Sequence, residues 1–524
     1  MKRQLSFEDM RKRAVPEIAE DEAVEGDEEL PEGWARATVG DLADFHRGVS
    51  FKKEQATNQP GGGRIPVLRA GNLQNGRIVH DDVVYVSPDC VASSQLLRPG
   101  DIVIAMSSGS ASVVGKAAVV SDSDVRTRLS FGAFCGMWRP RSATIADWLR
   151  IYFQSPRYRQ LATKEAVGVN INNLRESVVS EFALPIPPEN AITSIATRFD
   201  ALSAKAGRAR SALDEVPALL EKLRQSILAA AFRGDLTAEW REANPDVESA
   251  EELVERTPAP SGKSTGRAAS NSVQPGRYAV AVGNPNTPTP HGWAWVPLSR
   301  VAQMGSGHTP SREHEHYWNG DVPWVGIADA RENHGRVIDK TFQTITEEGL
   351  ANSAARLLPA MTVCLSRTAS VGYVTIMGRE MATSQDFANW TCTEALLPKY
   401  LMYALLAEGD GLRDFGEGST HTTIYFPELK AFHICLAPLE EQRRIVELIE
   451  ARLAAVEAIA KVVAEARAAH ATIDRSLLAK AFRGELVPQD PDDEPASVML
   501  ARLREERAEA PTKTRVRRRA RGTT

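Results

Sequence analysis

The sequence lacks the features of membrane-spanning, secreted and zinc-binding proteins. Its 524 residues contain no apolar run of the length that spans a bilayer, which is about 20 residues. The cysteines are odd in number, widely spaced and without a Cys-x-x-Cys pair: Cys90, Cys135, Cys364, Cys392 and Cys435. This spacing argues against a disulfide or zinc framework and favours a reducing compartment. We therefore predict a cytoplasmic protein that makes no contact with a membrane.

Catalytic motifs are also missing from the sequence. We find no paired catalytic carboxylates, no Gly-x-Ser-x-Gly elbow and no glycine-rich dinucleotide fingerprint. Residues 262–265 imitate the end of a phosphate loop, but Thr257 stands where the first glycine is required. His314 and His316 form a His-x-His pair with His308 nearby, but no further ligand stands at the spacing of a zinc site. This favours a polar loop over a zinc site. The sequence predicts neither a catalytic centre nor a metal site.

The sequence lacks an excess of positive charge: it has 63 Lys and Arg residues against 68 Asp and Glu residues, and the net charge is −5. A negatively charged chain has no bulk electrostatic attraction for nucleic acid. The charges are unevenly placed, however. Residues 1–30 become acidic and predict a disordered segment, whereas residues 489–524 form a charged tail with a basic end. Composition alone therefore decides nothing about DNA binding.

The main positive feature of the sequence is an internal repeat. A segment near the middle of the chain returns near its end with a constant shift of 250 positions. The residues Gly168, Phe182, Pro188, Ile195, Ser226, Leu228, Phe232, Arg233, Gly234 and Leu236 recur as Gly418, Phe432, Pro438, Ile445, Ser476, Leu478, Phe482, Arg483, Gly484 and Leu486. A second echo precedes each copy, since Gly33-Trp34 returns as Gly292-Trp293. Two copies of one plan suggest a task with two similar halves.

Each copy contains a helical arm with a heptad seam. In the first arm, alternate steps of four and three residues meet only apolar side chains: Ile195, Phe199, Leu202, Ala206, Ala209, Leu213, Val216, Leu220, Leu223 and Ile227. In the second arm the same steps meet the polar residues Arg452 and His470 among Ile445, Ile449, Val456, Ile459, Val463, Ala466, Ile473 and Leu477. This period is typical of a coiled coil. We predict antiparallel arms of about 40 residues and roughly 60 Å, with a kink at Pro217.

These patterns divide the chain into segments of different character. In chain order they are a disordered acidic segment (1–30), a first globular block (31–187), the first arm (188–240), a Pro/Ser/Gly-rich linker (241–290), a second block (291–437), the second arm (438–488) and the tail (489–524). Both blocks are predicted to be mixed α/β. Extended runs at Ile102–Ile104 and Thr362–Leu365 predict strands, and amphipathic stretches at Trp148–Tyr158 and Tyr400–Leu406 predict helices. Antiparallel arms would hold the blocks at opposite ends of a rigid spacer.

Both blocks carry polar, glycine-rich loops in matching places. The candidate DNA-binding residues of the first block are Arg47, Ser50, Lys52, Lys53, Arg69, Asn72, Ser107, Ser108, Asn170, Asn172 and Asn173. Those of the second block are Thr309, Ser311, Arg312, Arg367, Thr368, Ser370, Thr420, His421 and Thr422. Such side chains reach phosphates and base edges. Surface loops are often polar without binding anything, but the paired placement favours a binding role, and the divergence of the blocks suits two different ligands.

Three segments resemble the DNA-specificity (S) subunits of type I restriction-modification systems. They are residues 305–325, with Thr309-Pro310-Ser311 and Val322-Pro323-Trp324-Val325; residues 437–445, with Leu439-Glu440-Glu441-Gln442-Arg443-Arg444; and residues 477–488, with Ala481-Phe482-Arg483-Gly484. As an architecture the resemblance spans residues 30–490.

The resemblance implies two target-recognition domains joined by two long helices that form an antiparallel coiled coil with a pseudo-two-fold repeat. Each domain would read one half of a bipartite, asymmetric site in double-stranded DNA, and the helices would set the half-site spacing. The helices would also dock two methyltransferase subunits, which restriction subunits would join. S-adenosylmethionine, and ATP with Mg, would bind to those partners, so this chain would hold no cofactor and perform no catalysis.

The resemblance also suggests where the partners dock, at the ends of the arms. The candidate docking residues are Phe232, Arg233, Phe482, Arg483, Glu441 and Gln442. The first arm departs from the family pattern, because it opens with residues 188–192 (Pro-Glu-Asn-Ala-Ile) where the second arm has Glu441-Gln442-Arg443-Arg444. We therefore expect the two methyltransferase contacts to be unequal.

Two other classes of protein remain open from the residues themselves. One is a coiled-coil scaffold whose heads bind proteins, for which the loops should be hydrophobic and rich in aromatic residues. The other is an enzyme with an unrecognised centre, which should methylate or cleave DNA unaided.

Overall fold

Helices and short strands alternate in both halves of the chain. The computed structural model describes residues 29–166, 172–262, 280–283, 287–368, 370–415 and 423–509. The chain divides into two compact units. The first unit comprises Met1–Ser211 with Arg467–Thr524, and the second comprises Ala212–Ala466. Within the described ranges, no helix has both the length and the apolar content that crossing a membrane requires.

The helices differ greatly in length. In chain order they are α1 (Val39–Leu42), α2 (Ala143–Tyr152), α3 (Pro156–Glu165), α4 (Glu176–Ser180), α5 (Glu189–Phe232), α6 (Ala238–Ala243), α7 (Ala250–Arg256), α8 (Leu298–Val301), α9 (Ile327–Glu332), α10 (Glu347–Ala351), α11 (Pro398–Glu408), α12 (Phe426–Lys430), α13 (Leu439–Phe482) and α14 (Ala496–Glu509). The amphipathic stretch predicted at Trp148–Tyr158 is divided between α2 and α3. The division occurs because Ser155 caps α3 by accepting the backbone N–H of Tyr158, and Pro156 occupies the first turn.

The strands are short. In the first unit they are β1 (Ala35–Thr38), β2 (Ala43–Arg47), β3 (Ala56–Thr57), β4 (Ile65–Leu68), β5 (Leu73–Gln74), β6 (Arg77–Ile78), β7 (Val84–Val86), β8 (Ile102–Ala105), β9 (Ser107–Ser108), β10 (Ala117–Val119), β11 (Ser130–Phe131), β12 (Cys135–Pro140), β13 (Asn172–Asn173) and β14 (Ala183–Ile186). In the second unit they are β15 (Val282–Gly283), β16 (Ala294–Pro297), β17 (Ala302–Ser306), β18 (Trp318–Val325), β19 (Val337–Ile338), β20 (Gln343–Ile345), β21 (Val363–Ser366), β22 (Val374–Met377), β23 (Ala382–Thr383), β24 (Phe387–Cys392) and β25 (His433–Leu436).

The two units share one sheet plan. In the first unit the main sheet has the strand order β2-β12-β8-β10, and in the second unit the order is β17-β24-β21-β22, extended by β19. A smaller sheet lies beside each. It contains the parallel pair β4 and β11 in the first unit and the parallel pair β18 and β23 in the second. The predicted mixed α/β fold and internal repeat are therefore confirmed, although few of the paired residues are identical.

The arms are the long helices α5 and α13, which have 44 residues each. Their first and last residues keep the shift of 250 positions that the sequence repeat shows. At a rise of 1.5 Å per residue each arm is about 66 Å long. Gly234 and Gly484 follow the arms with φ of 79° and 74°, the left-handed conformation in which glycine commonly ends a helix. Despite Pro217, α5 is assigned as one continuous helix.

The arms pack against each other antiparallel in both units. In the first unit Phe199 and Leu478 lie in one core, and the Arg210 guanidinium pairs with the Asp474 carboxylate. In the second unit a separate apolar cluster joins the arms, formed by Leu220, Ile227 and Val456 with Val216, Leu453 and Ala460 beside them. The predicted antiparallel coiled coil is confirmed.

The seam is narrower than the sequence predicted. One of its two heptad positions is buried or half-buried along both arms: Phe199, Ala206, Leu213, Leu220 and Ile227 on α5, and Ile449, Val456, Val463, His470 and Leu477 on α13. At the other position Ile195 and Ile445 are buried and Leu202 is half-buried. The prediction of a buried seam is wrong for Ala209, Leu223, Ile459 and Ile473, whose side chains are exposed. These positions face sideways from a two-helix contact, where the described chain supplies no third helix.

Candidate nucleic-acid interface

A short polar ladder brings two distant loops of the first unit together. Strand β9, Ser107–Ser108, pairs antiparallel with β13, Asn172–Asn173. The Ser107 hydroxyl donates a hydrogen bond to Oδ1 of Asn173 over 3.3 Å. From the sequence these residues are predicted to lie in two separate loops, and the structure places them side by side. Asn170, named with them, lies outside the described residues.

The second unit has the same ladder in reduced form. Thr368 bridges antiparallel to Thr423, which is 250 positions after Asn173. The Ser370 backbone N–H donates to the Thr368 carbonyl over 2.6 Å. The remaining predicted residues here, Thr420, His421 and Thr422, lie outside the described residues. The two ladders place hydroxyl and amide side chains at equivalent places of two related folds.

Backbone hydrogen bonds join the ends of β2, β11 and β4 in the first unit. The Val49 backbone N–H donates to the Phe131 carbonyl over 2.7 Å, and the Gly132 N–H donates to the Leu68 carbonyl over 2.8 Å. In the second unit the corresponding bonds run from His308 to Thr383 over 2.9 Å and from Ser384 to Val325 over 3.0 Å.

A glycine is required directly after β2 in the first unit and directly after β17 in the second. A Cβ on Gly48 would lie 2.1 Å from the Gly132 carbonyl oxygen, and one on Gly307 would lie 2.2 Å from the Thr383 carbonyl oxygen. Both distances are far below a normal contact, so a larger residue would force the strands apart. Close backbone contact therefore keeps the polar edge of each unit in a fixed geometry.

Cationic and hydroxyl side chains of the first unit cluster where β2 ends. Arg47 is the last residue of β2, and its guanidinium lies 3.5 Å from Glu176 while remaining largely in solvent. Ser50, Lys52 and Lys53 follow and are exposed. The Lys52 backbone N–H donates to the Gln55 side chain over 2.8 Å, which orders the turn that carries the two lysines. Basic and hydroxyl side chains of this kind commonly contact phosphates in protein–DNA interfaces.

Two predicted contacts of the first unit have internal roles. Asn72 is only 4 % exposed, and its amide donates to the carbonyls of Val79 and Asp81 over 2.9 and 2.6 Å. Its Oδ1 accepts the Arg69 backbone N–H, so Asn72 closes a loop and the prediction that it binds DNA is wrong. The Arg69 guanidinium is paired with Asp82 over 2.6 Å, which offsets its charge.

In the second unit, Arg312 is held over an aromatic face. Its guanidinium carbon lies 4.6 Å from the ring centroid of Trp318, and its Nη2 donates to the Gln343 side chain over 3.2 Å. The Trp318 indole N–H in turn donates to the Ser311 carbonyl over 3.2 Å. Stacking fixes a planar cation with one edge in solvent, an arrangement suited to a phosphate or a guanine edge.

Thr309 and Arg367 meet at the turn between β23 and β24. The Thr309 hydroxyl donates to the Gln385 side chain, and the Arg367 Nη2 donates to the Gln385 carbonyl over 3.0 Å. The Arg367 guanidinium also stacks on Phe426 at 4.3 Å, and burial lowers its pKa. Arg367 thus supports the loop in this structure, in contrast to the predicted DNA contact, whereas Thr309 remains at the exposed edge.

Glu441, predicted to dock a partner, is completely buried. One carboxylate oxygen accepts from the Thr237 hydroxyl over 2.7 Å and from Arg241 Nε over 3.1 Å. The other accepts the Trp293 indole N–H over 2.8 Å. The docking prediction for Glu441 is wrong, because its oxygens are occupied inside the second unit.

Gln442 has a similar internal role. It is also fully buried, accepts the Leu397 backbone N–H over 3.0 Å and donates to the carbonyls of Ala395 and Ala437 over 2.9 Å each. The docking prediction is therefore wrong for Gln442 as well. The Glu441-Gln442 pair anchors the start of α13. The family motif at this position therefore has an internal structural role.

The aromatic ends of the arms also face inward. Phe232 packs edge-on against Tyr400 with centroids 5.0 Å apart, and Phe482 packs against Trp148 at 5.1 Å. The docking prediction is wrong for Phe232, which is buried in a core, whereas Phe482 is half-buried and packs against the core of the first unit. Arg233 and Arg483 remain near the surface, where they pair with Asp235 and Glu485.

The repeated Gly-Trp pair could have predicted these anchors. In the second unit Trp293 bonds to Glu441, whereas in the first unit the Trp34 indole N–H donates to Gln489 Oε1 over 2.9 Å. Ala191 occupies the position equivalent to Glu441, so Gln489 supplies the acceptor from beyond the end of α13. The departure of the first arm from the family motif therefore reflects a different internal anchor.

An apolar surface on the arms was missed by the sequence analysis. On α5, Leu219 is 57 % exposed and Leu223 is exposed beside it; on α13, Val462 is 63 % exposed next to Ile459. The spacing of four and three residues puts each pair on one side of its helix. Exposed apolar residues grouped in this way commonly mark a protein-binding surface.

The chain thus repeats one α/β fold with a polar edge and pairs two long helices, which is the architecture expected of a specificity subunit. The model for the type I restriction modification DNA specificity domain matches residues 31–212 and 290–465. The chain belongs to that family, and the resemblance noted in the sequence is confirmed. As a member it is a specificity subunit and not an enzyme in its own right.

Relatives of similar length support the family. The type I restriction enzyme EcoKI specificity subunit of Escherichia coli K12 is 29% identical over 493 residues, covering 91% of this chain and 96% of that protein. The StySPI specificity subunit of Salmonella potsdam is 29% identical over 495 residues with the same coverage. The crystal structure of the HsdS subunit from Thermoanaerobacter tengcongensis has the same fold, with a TM-score of 0.53 and 20% identity over 88% of this chain and 99% of that one.

Proposed function

We propose that this chain supplies the DNA address of a type I restriction-modification complex and none of its chemistry. Each unit reads one half of a bipartite, asymmetric site in double-stranded DNA. The single observation that carries the proposal is the repeated polar edge. One sheet plan presents Ser107, Asn173 and Lys52 in the first unit and Thr368 and Arg312 in the second. One frame with different side chains suits two different half-sites.

The arms set the spacing between the half-sites. Each arm has 44 residues and a length of about 66 Å, roughly two turns of duplex DNA at about 34 Å per turn. A paired helix keeps its length because every backbone hydrogen bond would have to change to alter it. Spacer length is therefore a property of the arms, and base identity is a property of the polar edges.

Two methyltransferase subunits dock on the arms. Their contacts include the exposed apolar pairs Leu219 with Leu223 and Ile459 with Val462. A helix of the partner laid along these residues would bury them as a third helix buries an outward heptad position. In this proposal residues 31–187 and 291–437 form the two recognition domains, residues 188–240 and 438–488 form the arms, and residues 489–524 form the tail.

The cofactors of the complex belong to the partners. S-adenosylmethionine is bound by the methyltransferase subunits and ATP with Mg by restriction subunits that join them. In the described part of this chain, no group of three or more metal-ligating side chains is positioned to hold an ion. The complex acts in the cytoplasm, where its DNA lies.

Methylation mapping tests this function. The chain is co-expressed with its methyltransferase in cells whose own adenine methylases are deleted, and methylated adenines are mapped across the genome. We expect a bipartite motif with a fixed spacer, in which replacing residues 31–187 by those of a relative changes one half only. Assembly of the complex without any bipartite motif, or a change in both halves after the replacement, would refute it.

A further inference from the structure

Phe134 is a large apolar side chain left in solvent at the polar edge of the first unit. It lies in the turn between β11 and β12, and 69 % of its surface is exposed. An isolated exposed aromatic residue is not unusual. The position of this one, however, is set by the same strands that carry the proposed DNA contacts.

The turn holds Phe134 rigidly. Its carbonyl oxygen accepts the backbone N–H groups of Met106 and Ser107 over 2.9 and 3.1 Å. The preceding Ala133 N–H donates to the Val49 carbonyl over 3.0 Å. These bonds fix the main chain on both sides of the ring, and the next residue, Cys135, is buried in the core while the ring stays exposed.

The segments that are hydrogen-bonded to this turn carry polar side chains. Ser107, whose N–H is bonded to Phe134, is the residue of the ladder that donates to Asn173. Val49, bonded to the same turn, is two residues from Arg47 and next to Ser50. The turn that carries the exposed ring is therefore bonded to segments with hydroxyl, amide and cationic side chains, and a ligand that covers this edge would bury the ring.

The second unit has a different residue at this place. The equivalent turn holds Asp386, whose carbonyl accepts the Arg367 N–H over 2.8 Å as the Phe134 carbonyl accepts that of Met106. The Asp386 carboxylate accepts the Ser384 hydroxyl over 3.0 Å. Equivalent backbone with an apolar side chain in one unit and an acidic one in the other distinguishes two binding edges chemically.

We propose that the Phe134 ring makes a specificity-determining apolar contact with a base of the half-site read by the first unit. This inference rests on the proposed DNA-reading function. Base edges are polar except for the thymine 5-methyl group, and the other apolar surface of DNA is the face of an unstacked base. Either surface would bury the ring, and the two are separable by experiment.

The test uses the complete complex with its methyltransferase subunits and a duplex that carries the mapped bipartite site. Binding is measured for the wild type, Phe134→Ala, Phe134→Leu and the control Val498→Ala. Val498 is an exposed apolar residue on α14. This helix pairs through Arg504 with Asp41, which precedes the start of β2, whereas Arg47 lies at the other end of that strand. We expect about a tenfold or larger loss of affinity for Phe134→Ala, a smaller loss for Phe134→Leu and none for the control.

Modified duplexes then identify the base surface. Uracil in place of each thymine of the first half-site removes the methyl group. If the methyl is the contact, one such change weakens the wild type and has no further effect in Phe134→Ala. If the ring stacks on an unstacked base, 2-aminopurine at one position brightens with the wild type and not with Phe134→Ala.

The failures are distinguishable. Unchanged affinity and an unchanged methylated motif for Phe134→Ala overturn this inference alone, as does a loss confined to methyltransferase assembly, which would make the ring a protein contact. Absence of any bipartite motif in the wild-type complex overturns the proposed function instead.

Discussion

The Trp293 indole donates a hydrogen bond to the Glu441 carboxylate over 2.8 Å across 148 positions of sequence. Trp293 immediately precedes β16, and Glu441 lies in the first turn of the second arm. The bond therefore fixes where the arm leaves the fold. The same carboxylate also holds Arg241, so a single buried group ties together three segments.

Removing this carboxylate should destabilise the second unit. We expect Glu441→Ala to lower its free energy of unfolding by about 3 kcal/mol, because the half-buried Arg241 charge and the Trp293 N–H lose their acceptor. Chemical denaturation followed by tryptophan fluorescence measures the change. The neighbouring exposed Glu440 is the matched control, and Glu440→Gln should cost about 0.5 kcal/mol or less. Equal losses for the two variants would contradict the anchoring role.

The two Gly-Trp anchors should differ in strength. Trp293 donates to a buried carboxylate, whereas Trp34 donates to the neutral amide of Gln489. Hydrogen bonds to charged groups contribute more, so Trp293→Phe should cost about 2 kcal/mol and Trp34→Phe about 1 kcal/mol. The unfolding free energies of the two variants are compared directly. A larger loss for Trp34→Phe would be inconsistent with the assigned partners.

A buried carboxyl gives the second unit a pH dependence near neutrality. One oxygen of Glu408 accepts three backbone N–H groups, from Val280, Ala281 and Val282, over 2.8, 2.6 and 2.7 Å. Burial nevertheless raises the pKa of Glu408 from 4.5 to about 7, against the lowering effect of those bonds. A folded pKa above the unfolded one means that this contribution to stability is complete below about pH 4.5 and is lost as the pH rises through 7.

Melting temperatures between pH 5 and 8.5 test this effect. We expect the difference between the wild type and Glu408→Gln to shift in favour of the variant as the pH rises, because the amide does not ionise. Asp410 lies two residues further on, and Asp410→Asn provides a control for a nearby carboxyl. Parallel pH profiles for the wild type and Glu408→Gln would rule out the titration.

Neighbouring leucines on the first arm should have separable roles. Leu220 is buried against the second arm, whereas Leu223 is exposed. Leu220→Lys should lower the melting temperature of the chain, because it places a charge in an apolar contact. Leu223→Lys should leave melting unchanged and weaken assembly with the methyltransferase, as measured by light scattering of mixed subunits. Normal assembly of Leu223→Lys would argue against docking at this surface.

The salt dependence of DNA binding should separate the lysines from Asn72. Replacing Lys52 and Lys53 by alanine should reduce the slope of log affinity against log salt by about 1 for each phosphate that a lysine no longer neutralises. Asn72→Ala should instead reduce stability and leave the slope of the remaining folded complex unchanged, since the side chain is buried. An unaltered slope for the double lysine variant would remove these residues from the interface.

Heptad periodicity predicted the arms because a helix pair depends on local spacing, and the recurrence of residues at a constant shift predicted the repeat. The seam from Phe199 to Ile227 follows from heptads alone, and the helix ends preserve the shift of 250 positions. Which heptad position is covered depends on how many helices meet, and for this reason Leu223 and Ile459 were predicted as buried. The heptad spacing of one segment does not determine how many helices pack together.

Polar residues were harder to interpret from sequence. Asn72, Arg367, Glu441 and Gln442 have the side chains of a binding surface, but each satisfies internal hydrogen bonds. A sequence shows that a residue is polar and not which distant backbone group needs a partner. The pairing of Ser107 with Asn173 was missed for the same reason, since it joins loops that are 66 positions apart.

The first unit takes part of its core from the far end of the chain. Leu478, Ala481 and Leu500 lie in the same apolar core as Trp34 and Trp148. During synthesis the ribosome therefore makes the beginning of this unit long before the residues that complete it. The first unit can complete its core only after these residues have been translated. A stop codon after residue 466 would therefore destabilise the first unit, most of which had already been made.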